Sequence, residues 1–426
     1  MSKFLQFHTL TPYSGVLLNR DDAGFAKTLP FGNAKRTRVS SQCLKYHWRK
    51  YEGKHAIQDA GDMAIRSRNT FRKKIAEPLI EEGYPRGLTY VGAMSIRCLL
   101  LHEKSYLDSN NSYLNKSSTN TFFEAGDKGQ GEILHTDQLI VLGPTEVEHI
   151  KNVIRNHIDE ISEDHDIQAP EDQKQMIEDS HDKWKEHYKS RGSEKAYNMR
   201  GLRNAMGIDA AMHGRMVTSD VLSRGNAAVH VAHAITTHAQ QREDDYFTAV
   251  DDLLDEDTGG EESGSAHLNT KQLTSGLFYN YVVVDVPLLV SNLESCERDE
   301  WTDANLDLTV EVLRRFLHTL ATVSPGAKLS STAPYAKAEF VMVESGDEQP
   351  RTLANAFKKA VPLTENVTED SIERLTDYVD RMDGMYATEE ERICATAEEA
   401  DLPAPKATLP EIADWIETKV TAYAHS

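Results

Sequence analysis

The stretch "SGLFYNYVVVDVPLLV", residues 275–290, decides the fold class of this chain. It is rich in β-branched and aromatic residues, as are strands that are covered on both faces, and it therefore predicts a buried strand. Residues 3–11, "KFLQFHTLT", predict another strand, because Phe4, Leu5 and Phe7 do not follow helical spacing.

Helices and a further strand are predicted around these two segments. Ser40 or Ser41 can cap a helix that continues to Arg49. An amphipathic helix is marked by Leu308, Val312, Leu313, Phe316 and Leu320, and the turn "SPGAK" and the strand "AEFVMVE" (residues 338–344) follow it. "AAVHVAHAITTH", residues 227–238, also has helical spacing.

The order strand, helix, strand, strand, helix, strand predicts an α+β, ferredoxin-like fold that large insertions interrupt. This is also the frame of the RNA recognition motif (RRM), which offers its sheet face and its edge loops to single-stranded RNA. Residues 53–200 are polar and predicted to be helical, and the tail from about residue 365 is also predicted to be helical. Residues 244–273 have apolar ends and a Gly/Ser/acid-rich tip, as a long exposed hairpin has.

Composition limits the function classes. The chain has 426 residues and a formal net charge of −21, which disfavours indiscriminate nucleic-acid binding because sequence-independent affinity needs cations on phosphates. No apolar run approaches the about 18 residues of a membrane span, and the N-terminus lacks a signal-peptide pattern, so we expect a cytoplasmic protein. Four widely spaced cysteines predict reduced thiols.

One segment departs from this acidity. "AKRTRVSSQCLKYHWRK", residues 34–50, contains six Lys/Arg and no acid. On a helix, Lys45 and Arg49 share a face, and Ser40 and Gln42 lie at its N-terminus, where backbone N–H groups favour phosphate. This segment is either a nucleic-acid backbone site or a solvated helix face.

Metal and enzyme motifs are weak. His230, His233 and His238 lack an accompanying carboxylate, and the acidic tip "DEDTGGEE" lacks the register of a calcium loop, so no metal is predicted. Asp21 and Asp22 are adjacent carboxylates that could bind Mg²⁺, but no third acid or general base accompanies them. No nucleotide-binding or hydrolase motif appears, and no cofactor is predicted.

Collinear blocks carry a close resemblance to CasC, the family of repeated backbone subunits of Cascade, the type I-E CRISPR surveillance complex. They begin with "FLQFHTL…LNRDDAGFAK…FGNAKRTRVSSQCLKYHWRK" and resume in "GIDAAMHGRMVTSD", "AAVHVAHAITTHAQ", "DDYFTAVDDL", "GSAHLNTKQLTSGLFYNY", "VSPGAKLSSTAPYAKAEFVMVE" and "TLANAFKKAV". The similarity is weakest from about residue 53 to 195 and after about 365.

The resemblance implies a hand-shaped protein with an RRM-like palm, inserted helical fingers and a β-hairpin thumb. The palm is expected in three parts, residues 1–52, 201–237 and 276–365. The fingers are expected at 53–200, the thumb at 238–275 and a C-terminal helical region at 366–426.

The resemblance also implies a function without catalysis. Copies stack along one CRISPR guide RNA, and each thumb crosses the RNA and displaces a base at regular intervals. The remaining bases pair with target DNA in antiviral defence. The implied partners are the guide RNA, the target DNA, neighbouring copies, other Cascade subunits and a recruited helicase-nuclease, with no membrane partner.

Site residues follow by position. Lys27, Ser40, Gln42, Lys45 and Arg49 match residues that hold the guide backbone, and Arg38 belongs to the same basic block. Met216 matches an apolar wedge beside the displaced base, next to Arg215. Lys328 is predicted to contact phosphate, and Phe247 and Leu268 are either contacts near the displaced base or hairpin core.

Two alternatives remain open at the level of sequence. The first is an RNA-guided enzyme that cleaves target RNA, using Asp21 and Asp22 with Mg²⁺. The second is a non-catalytic scaffold that uses the basic helix to bind an acidic protein partner.

Overall fold

The computed structural model describes residues 4–101, 134–164, 179–180, 183–184, 206–215, 225–250, 265–327, 329, 331–388 and 390–422. Within the strands that cover 246–250 and 265–271, the description concerns the backbone alone. None of the helices in these ranges combines the length and the apolar character that crossing a membrane requires.

The strands of the described residues are β1 (Phe4–Val16), β2 (Thr28–Phe31), β3 (Ala34–Val39), β4 (Ile65–Ser67), β5 (Ile140–Leu142), β6 (Val229–Val231), β7 (Ala234–Thr236), β8 (Gln241–Val250), β9 (Ser265–Asp285), β10 (Phe340–Gly346) and β11 (Glu391–Thr396). The α-helices are α1 (Ser41–Lys50), α2 (Glu77–Glu81), α3 (Arg86–Leu101), α4 (Pro144–Asp164), α5 (Ile208–His213), α6 (Val286–Glu294), α7 (Asp307–Thr322), α8 (Val367–Tyr386) and α9 (Leu409–Thr421). A π-helical segment spans Phe71–Ala76, and 3₁₀ turns span Ile57–Ala60, Arg298–Asp303 and Ala354–Phe357.

The chain forms two compact units. The first contains Met1–Ala60, Val229–Val286 and Leu306–Ser426, and the second contains Gly61–Ala228 and Pro287–Asn305. The predicted limits of palm, fingers and thumb stay predictions.

The first unit is built on one large sheet with the strand order β11-β10-β1-β9-β7-β3-β2, and β6 and β8 also pair with β9. Strand β1 is antiparallel to both neighbours, with Phe7 opposite Val343 on one side and Val282 on the other. With helices α1 and α7, strands β1, β7, β9 and β10 follow the order predicted from the sequence. The predicted α+β fold class is therefore confirmed.

One face of this sheet is covered by α1 and α7. Successive side chains of a strand point to opposite faces, and Phe7 points toward α7, where its ring lies 5.9 Å from that of Phe316. Trp48 of α1 contacts the same Phe316 ring at 5.5 Å. All three aromatic side chains are buried, so the two helices are held to the sheet by apolar packing.

The other face of the sheet is also buried. Leu10, Phe340 and Met342 point to this side and belong to one apolar cluster. The cluster also contains Leu353, Phe357 of the 3₁₀ turn Ala354–Phe357, and Ile372, Leu375 and Val379 of α8. The sheet face that an RRM offers to RNA is therefore covered by the C-terminal part of this chain. The edge loops are the other surface that an RRM offers to RNA.

A cluster of buried charges fastens the C-terminal elements to the sheet. Glu344 of β10 accepts a hydrogen bond from Arg392 Nε of β11 at 2.5 Å and lies 3.0 Å from His8 Nε2 of β1. The Arg392 guanidinium also pairs with Asp383 of α8 at 2.5 and 2.9 Å. Arg351 donates to Asp383 at 3.0 Å and completes this charged cluster.

One sequence prediction of local structure is wrong and two hold only in part. Residues 227–238 form β6 and β7 rather than a helix, because both segments pair with β9. The strand predicted over 275–290 ends at Asp285, where α6 begins. The tail that was predicted to be helical contains strand β11, which pairs with β10 from Phe340↔Thr396 to Ser345↔Glu391. In each case long-range pairing or packing outweighed the local pattern.

The second unit contains a helical core. Apolar residues of α3 and α4 pack together, and a Cβ at Gly92 would lie only 3.1 Å from the Ile154 side chain. Helices α3 and α4 lie within residues 53–200, which are predicted to be helical, while β4 and β5 form a small antiparallel sheet that the sequence did not indicate.

The base of the predicted thumb is a hairpin. Strand β8 runs antiparallel to β9 from Gln241↔Ser275 onward, and the register continues to Val250↔Ser265. Gln272 links the β8–β9 hairpin to the loop before β2. Its side chain donates to Asp244 Oδ1 at 3.3 Å and accepts from the Ala26 N–H at 3.1 Å. The acidic tip, residues 251–264, lies outside the described residues.

Candidate nucleic-acid interface

Helix α1 starts with a side-chain cap, as the sequence predicted. The Ser40 hydroxyl accepts a hydrogen bond from the Cys43 N–H at 3.3 Å, the first turn contains no acid, and the last turn contains His47, Arg49 and Lys50. Its buried residues are Ser41, Leu44 and Trp48. The N-terminus of α1 therefore keeps the partial positive charge of its N–H groups uncompensated by a nearby carboxylate of the same turn.

The opposite side of α1 faces outward. Gln42, Lys45, Tyr46 and Arg49 share this side by helical spacing; Gln42 and Tyr46 are exposed, and Lys45 and Arg49 are half-buried. We call these four residues the α1 outer face.

Strand β3 and the loop before β2 bring two more cations to the start of α1. Ser40 donates its N–H to Asn19 Oδ1 at 3.0 Å, and Lys27 donates its N–H to the Asn19 carbonyl at 2.9 Å. Arg38 in turn donates its N–H to the Lys27 carbonyl at 2.9 Å. Asn19 therefore ties the backbones of Lys27 and Ser40 together.

His233, which follows β6, also lies at the start of α1. Its Nδ1 accepts from the Ser41 N–H at 3.2 Å and lies 3.3 Å from Arg38 Nη1. Burial lowers the pKa of His233, and the positive charges of Arg38 and Lys27 lower it further. Through these contacts His233 joins Arg38 to the start of α1, and Arg38 is bonded in turn to the Lys27 backbone.

The charge of Lys27 also affects Cys43, which lies in the first turn of α1. Burial raises the pKa of the Cys43 thiol, and the nearby Lys27 charge opposes that rise. Lys27 therefore acts on the first turn of α1 as well as on His233. We define the basic site as Lys27, Arg38, Ser40 and His233 together with the α1 outer face.

One of the six basic residues of segment 34–50 has a structural role instead. Arg36 is fully buried and donates from Nη1 to the carbonyls of Thr236 and Thr237 at 3.0 and 2.6 Å, and from Nη2 to the Phe357 carbonyl at 2.7 Å. Desolvation lowers its pKa. Arg36 fastens β3 to the neighbouring chain segments and does not belong to the basic site.

Arg215 lies in the other unit and is already paired. Its guanidinium donates to both carboxylate oxygens of Glu146, at 2.5 and 2.7 Å, and both side chains are fully buried. Removing one partner of such a pair leaves a buried charge uncompensated. Arg215 is thus part of a buried ion pair, and its predicted contact with RNA stays a prediction.

Four predicted contact residues lie partly or wholly outside the described residues. Met216 and Lys328 are outside them altogether. Phe247 and Leu268 are placed by their backbone, in adjacent register positions of the β8–β9 hairpin, opposite Asn269 and Thr248 respectively. Their roles, like those of the basic residues, stay predictions.

The Asp21 carboxylate shapes its own loop. Its Oδ1 accepts from the Ala23 and Phe25 N–H groups at 3.0 and 2.9 Å, and Asp22 is exposed beside it. Among the described residues, no group of three or more His, Cys, Asp and Glu side chains is arranged to hold a metal ion. Asp21 thus has the contacts of a turn residue.

Sequence reasoning missed two residues of the basic site, Tyr46 and His233, and also Asn19, which holds the backbones of Lys27 and Ser40. Asn19 gave no signal, because its role depends on backbone groups that fold back onto it. His233 was interpreted as part of a helix, and its position beside Arg38 follows from the pairing of β3 with β7, in which Val39 lies opposite Ala234. Tyr46 could have been found from its spacing with Gln42 and Arg49.

Comparison with known proteins finds one matching family and solved structures with a similar fold. The sequence profile of one protein family, Cas_CT1975, described as "CT1975-like protein", matches residues 5–418. A chain of a "CRISPR RNA-guided surveillance complex, pre-nicking" superposes with a TM-score of 0.71 at 24% identity, over 99% of this chain and 100% of that chain. A chain of a "CRISPR RNA-guided surveillance complex" superposes with a TM-score of 0.54 at 19% identity, over 98% and 99%. No curated protein matches this sequence.

Proposed function

Because this chain belongs to the CT1975-like protein family, we propose that it is a guide-RNA-binding backbone subunit of a CRISPR surveillance complex. We further propose that the complex is a type I-E Cascade and that this subunit corresponds to CasC. Several copies would line one guide RNA, displace a base at intervals with the thumb, and leave the others to pair with target DNA. Neighbouring copies, other Cascade subunits and a recruited helicase-nuclease are the proposed protein partners.

The single observation that supports this proposal most strongly is the basic site. Lys27, Arg38 and the acid-free start of α1 converge within one unit of a chain whose net charge is −21. The positive end of a helix dipole and flanking cations both attract phosphate. A site of this kind fits a nucleic-acid backbone better than a solvated helix face.

Phosphate binding suits a subunit that must accept any guide. Contacts to phosphate position a strand but carry no information about its sequence. Sequence recognition is then left to base pairing between guide and target, as in other RNA-guided systems. The buried sheet face agrees with this division, because it leaves the edge loops and α1, rather than a base-reading sheet surface, for RNA.

The acidic remainder of the chain is compatible with local RNA binding. Charges separated by more than about 10 Å are largely screened at 0.1 M salt, so a basic site can attract phosphate while distant carboxylates discourage RNA elsewhere. Multiple copies on one strand would add avidity to an individually weak contact.

The proposal is tested by charge reversal on the α1 outer face. We expect Lys45→Glu with Arg49→Glu to abolish co-purification of guide RNA from cells that transcribe a CRISPR array, as measured by the absorbance ratio at 260 and 280 nm and by RNA extraction. The matched control, Arg381→Glu with Lys406→Glu, makes the same charge change at exposed C-terminal residues and should retain RNA. Guide RNA retained by the α1 double variant would overturn the assignment.

We propose that the subunit is not itself a nuclease. The Oδ1 atom of Asp21 accepts hydrogen bonds from two backbone N–H groups, which supports a turn role over Mg²⁺ binding. Incubating the assembled complex with labelled complementary RNA and Mg²⁺ tests this. Regularly spaced products that disappear in Asp21→Ala and Asp22→Ala would establish the cleaving alternative instead.

A further inference from the structure

The α1 outer face contains an aromatic ring among its polar groups. Tyr46 is 55% exposed, more than any other aromatic residue of α1, while Trp48 on the opposite side is 1% exposed. Gln42 precedes Tyr46 by one helical turn, and Arg49 and Lys50 follow it by one turn. The ring therefore lies in the middle of the residues that the proposed function assigns to RNA.

The neighbour of this ring is held rigidly. His47 packs edge-on against Tyr46, with ring centroids 5.3 Å apart and planes at 84°. The His47 Nε2 accepts from the Gly326 N–H at 3.3 Å, so its proton is on Nδ1, which donates to the Cys43 carbonyl at 2.8 Å. Because both ring nitrogens of His47 form hydrogen bonds, the imidazole is held in one orientation beside Tyr46.

The chemistry of this arrangement matches one kind of ligand. An exposed aromatic face beside cations binds single-stranded nucleic acid without sequence preference, since every base has a π-face and every nucleotide has a phosphate. Charge complementarity therefore favours RNA as the occupant.

We infer that Tyr46 is a base-stacking residue of the basic site, in which its ring packs on a base of bound RNA while Lys45 and Arg49 hold the adjacent phosphates. This inference rests on the proposed function and adds a contact that does not depend on charge. It assigns to α1 a second task, the alignment of a base, besides retention of the backbone.

Affinity for single-stranded RNA tests the stacking contact. We use the full-length chain and a fluorescent RNA oligonucleotide, and we measure Kd by anisotropy. Tyr46→Ala should weaken binding about 5- to 150-fold, the range that loss of one stacked base produces. Tyr46→Phe retains the ring and should bind within about twofold of the parent. Tyr386→Ala removes a tyrosine of similar exposure, 59%, from the end of α8 and should change nothing.

Two further readouts separate stacking from a structural effect. The slope of log K against log salt should be the same for Tyr46→Ala as for the parent, because no phosphate contact is lost. With an oligonucleotide of abasic ribose phosphates, the parent and Tyr46→Ala should bind equally. A penalty that persists on the abasic strand, or equal losses in Tyr46→Phe and Tyr46→Ala, would overturn the inference.

Failure of the inference and failure of the proposed function give different results. If the parent binds RNA and Tyr46→Ala binds equally well, the stacking role is wrong and the backbone site stands. If Tyr46→Ala instead weakens self-association of the RNA-free chain while RNA affinity is unchanged, Tyr46 belongs to a contact between copies. If the parent binds no RNA at all, both proposals are wrong.

Discussion

Gly32 shows how much one residue contributes to the position of the basic site. It lies in the two-residue turn between β2 and β3, with φ of +61°, and a Cβ there would lie 1.6 Å from the Lys358 carbonyl oxygen. The next residue, Asn33, donates its N–H to that carbonyl at 3.2 Å and accepts from the Ala360 N–H at 2.8 Å. This turn anchors the hairpin whose second strand contains Arg38.

We predict that Gly32→Ala destabilises the protein by about 2–4 kcal/mol, from the strained φ and from displacement of the 358–360 backbone. Gly15 is the matched control, because its φ is +60° and a Cβ there would meet nothing within 4 Å. Gly15→Ala should cost only the conformational strain, about 1–2 kcal/mol. Urea unfolding midpoints measure both; equal losses would show that the close approach to Lys358 contributes nothing.

At the scale of elements, the charged cluster joins β1, β10, β11 and α8. Burial disfavours the ionised form of Glu344, but the hydrogen bond with His8 and the charges of Arg351 and Arg392 outweigh it and lower the pKa of Glu344 to about 2. A carboxyl whose folded-state pKa is lowered adds stability above its unfolded pKa. That stability is lost as pH falls through the folded value.

We therefore predict that the stability of the first unit declines as pH falls from about 5 toward about 2, and that Glu344→Gln flattens this decline. At pH 7 the same variant should lose about 2–4 kcal/mol, because Arg392 and Arg351 keep their charge but lose a buried partner. The exposed Glu348→Gln serves as control. Urea unfolding at pH 7, 5 and 3 tests this, and a parallel pH dependence of parent and Glu344→Gln would contradict it.

At the scale of the whole molecule, the balance of charge matters more than any single contact. The net charge is −21, yet Lys27, Arg38, Lys45 and Arg49 act from the same unit near the start of α1. Binding of single-stranded RNA by such a site releases counterions, and affinity should fall steeply with salt. The acidic remainder should then limit RNA binding to this site.

We predict a slope of log K against log salt of about −2 to −3 for the parent chain, from four cations at about −0.7 each. Lys45→Ala with Arg49→Ala should reduce the magnitude of that slope by about 1.4. Anisotropy titrations between low and moderate salt measure both slopes. An unchanged slope in the double variant would place these side chains away from the phosphates.

By itself, the sequence determined the elements that local patterns specify. The spacing of Leu308, Val312 and Phe316 predicted α7, Ser40 predicted the start of α1, and the β-branched run before Asp285 predicted most of β9. These predictions succeeded because the residues that cap a helix or line its apolar side lie within a few positions of one another. The acid-free segment 34–50 likewise marked the location of the basic site.

Only the tertiary structure decided which of those residues are available to a ligand. Arg36 and Arg38 are equally basic in the sequence, yet Arg36 is buried by carbonyls of Thr236, Thr237 and Phe357, whereas Arg38 lies beside His233. The same distant pairing converted residues 227–238 into strands, and packing of α8 covered the second sheet face. Burial and strand pairing depend on partners hundreds of residues away, and local spacing contains no information about them.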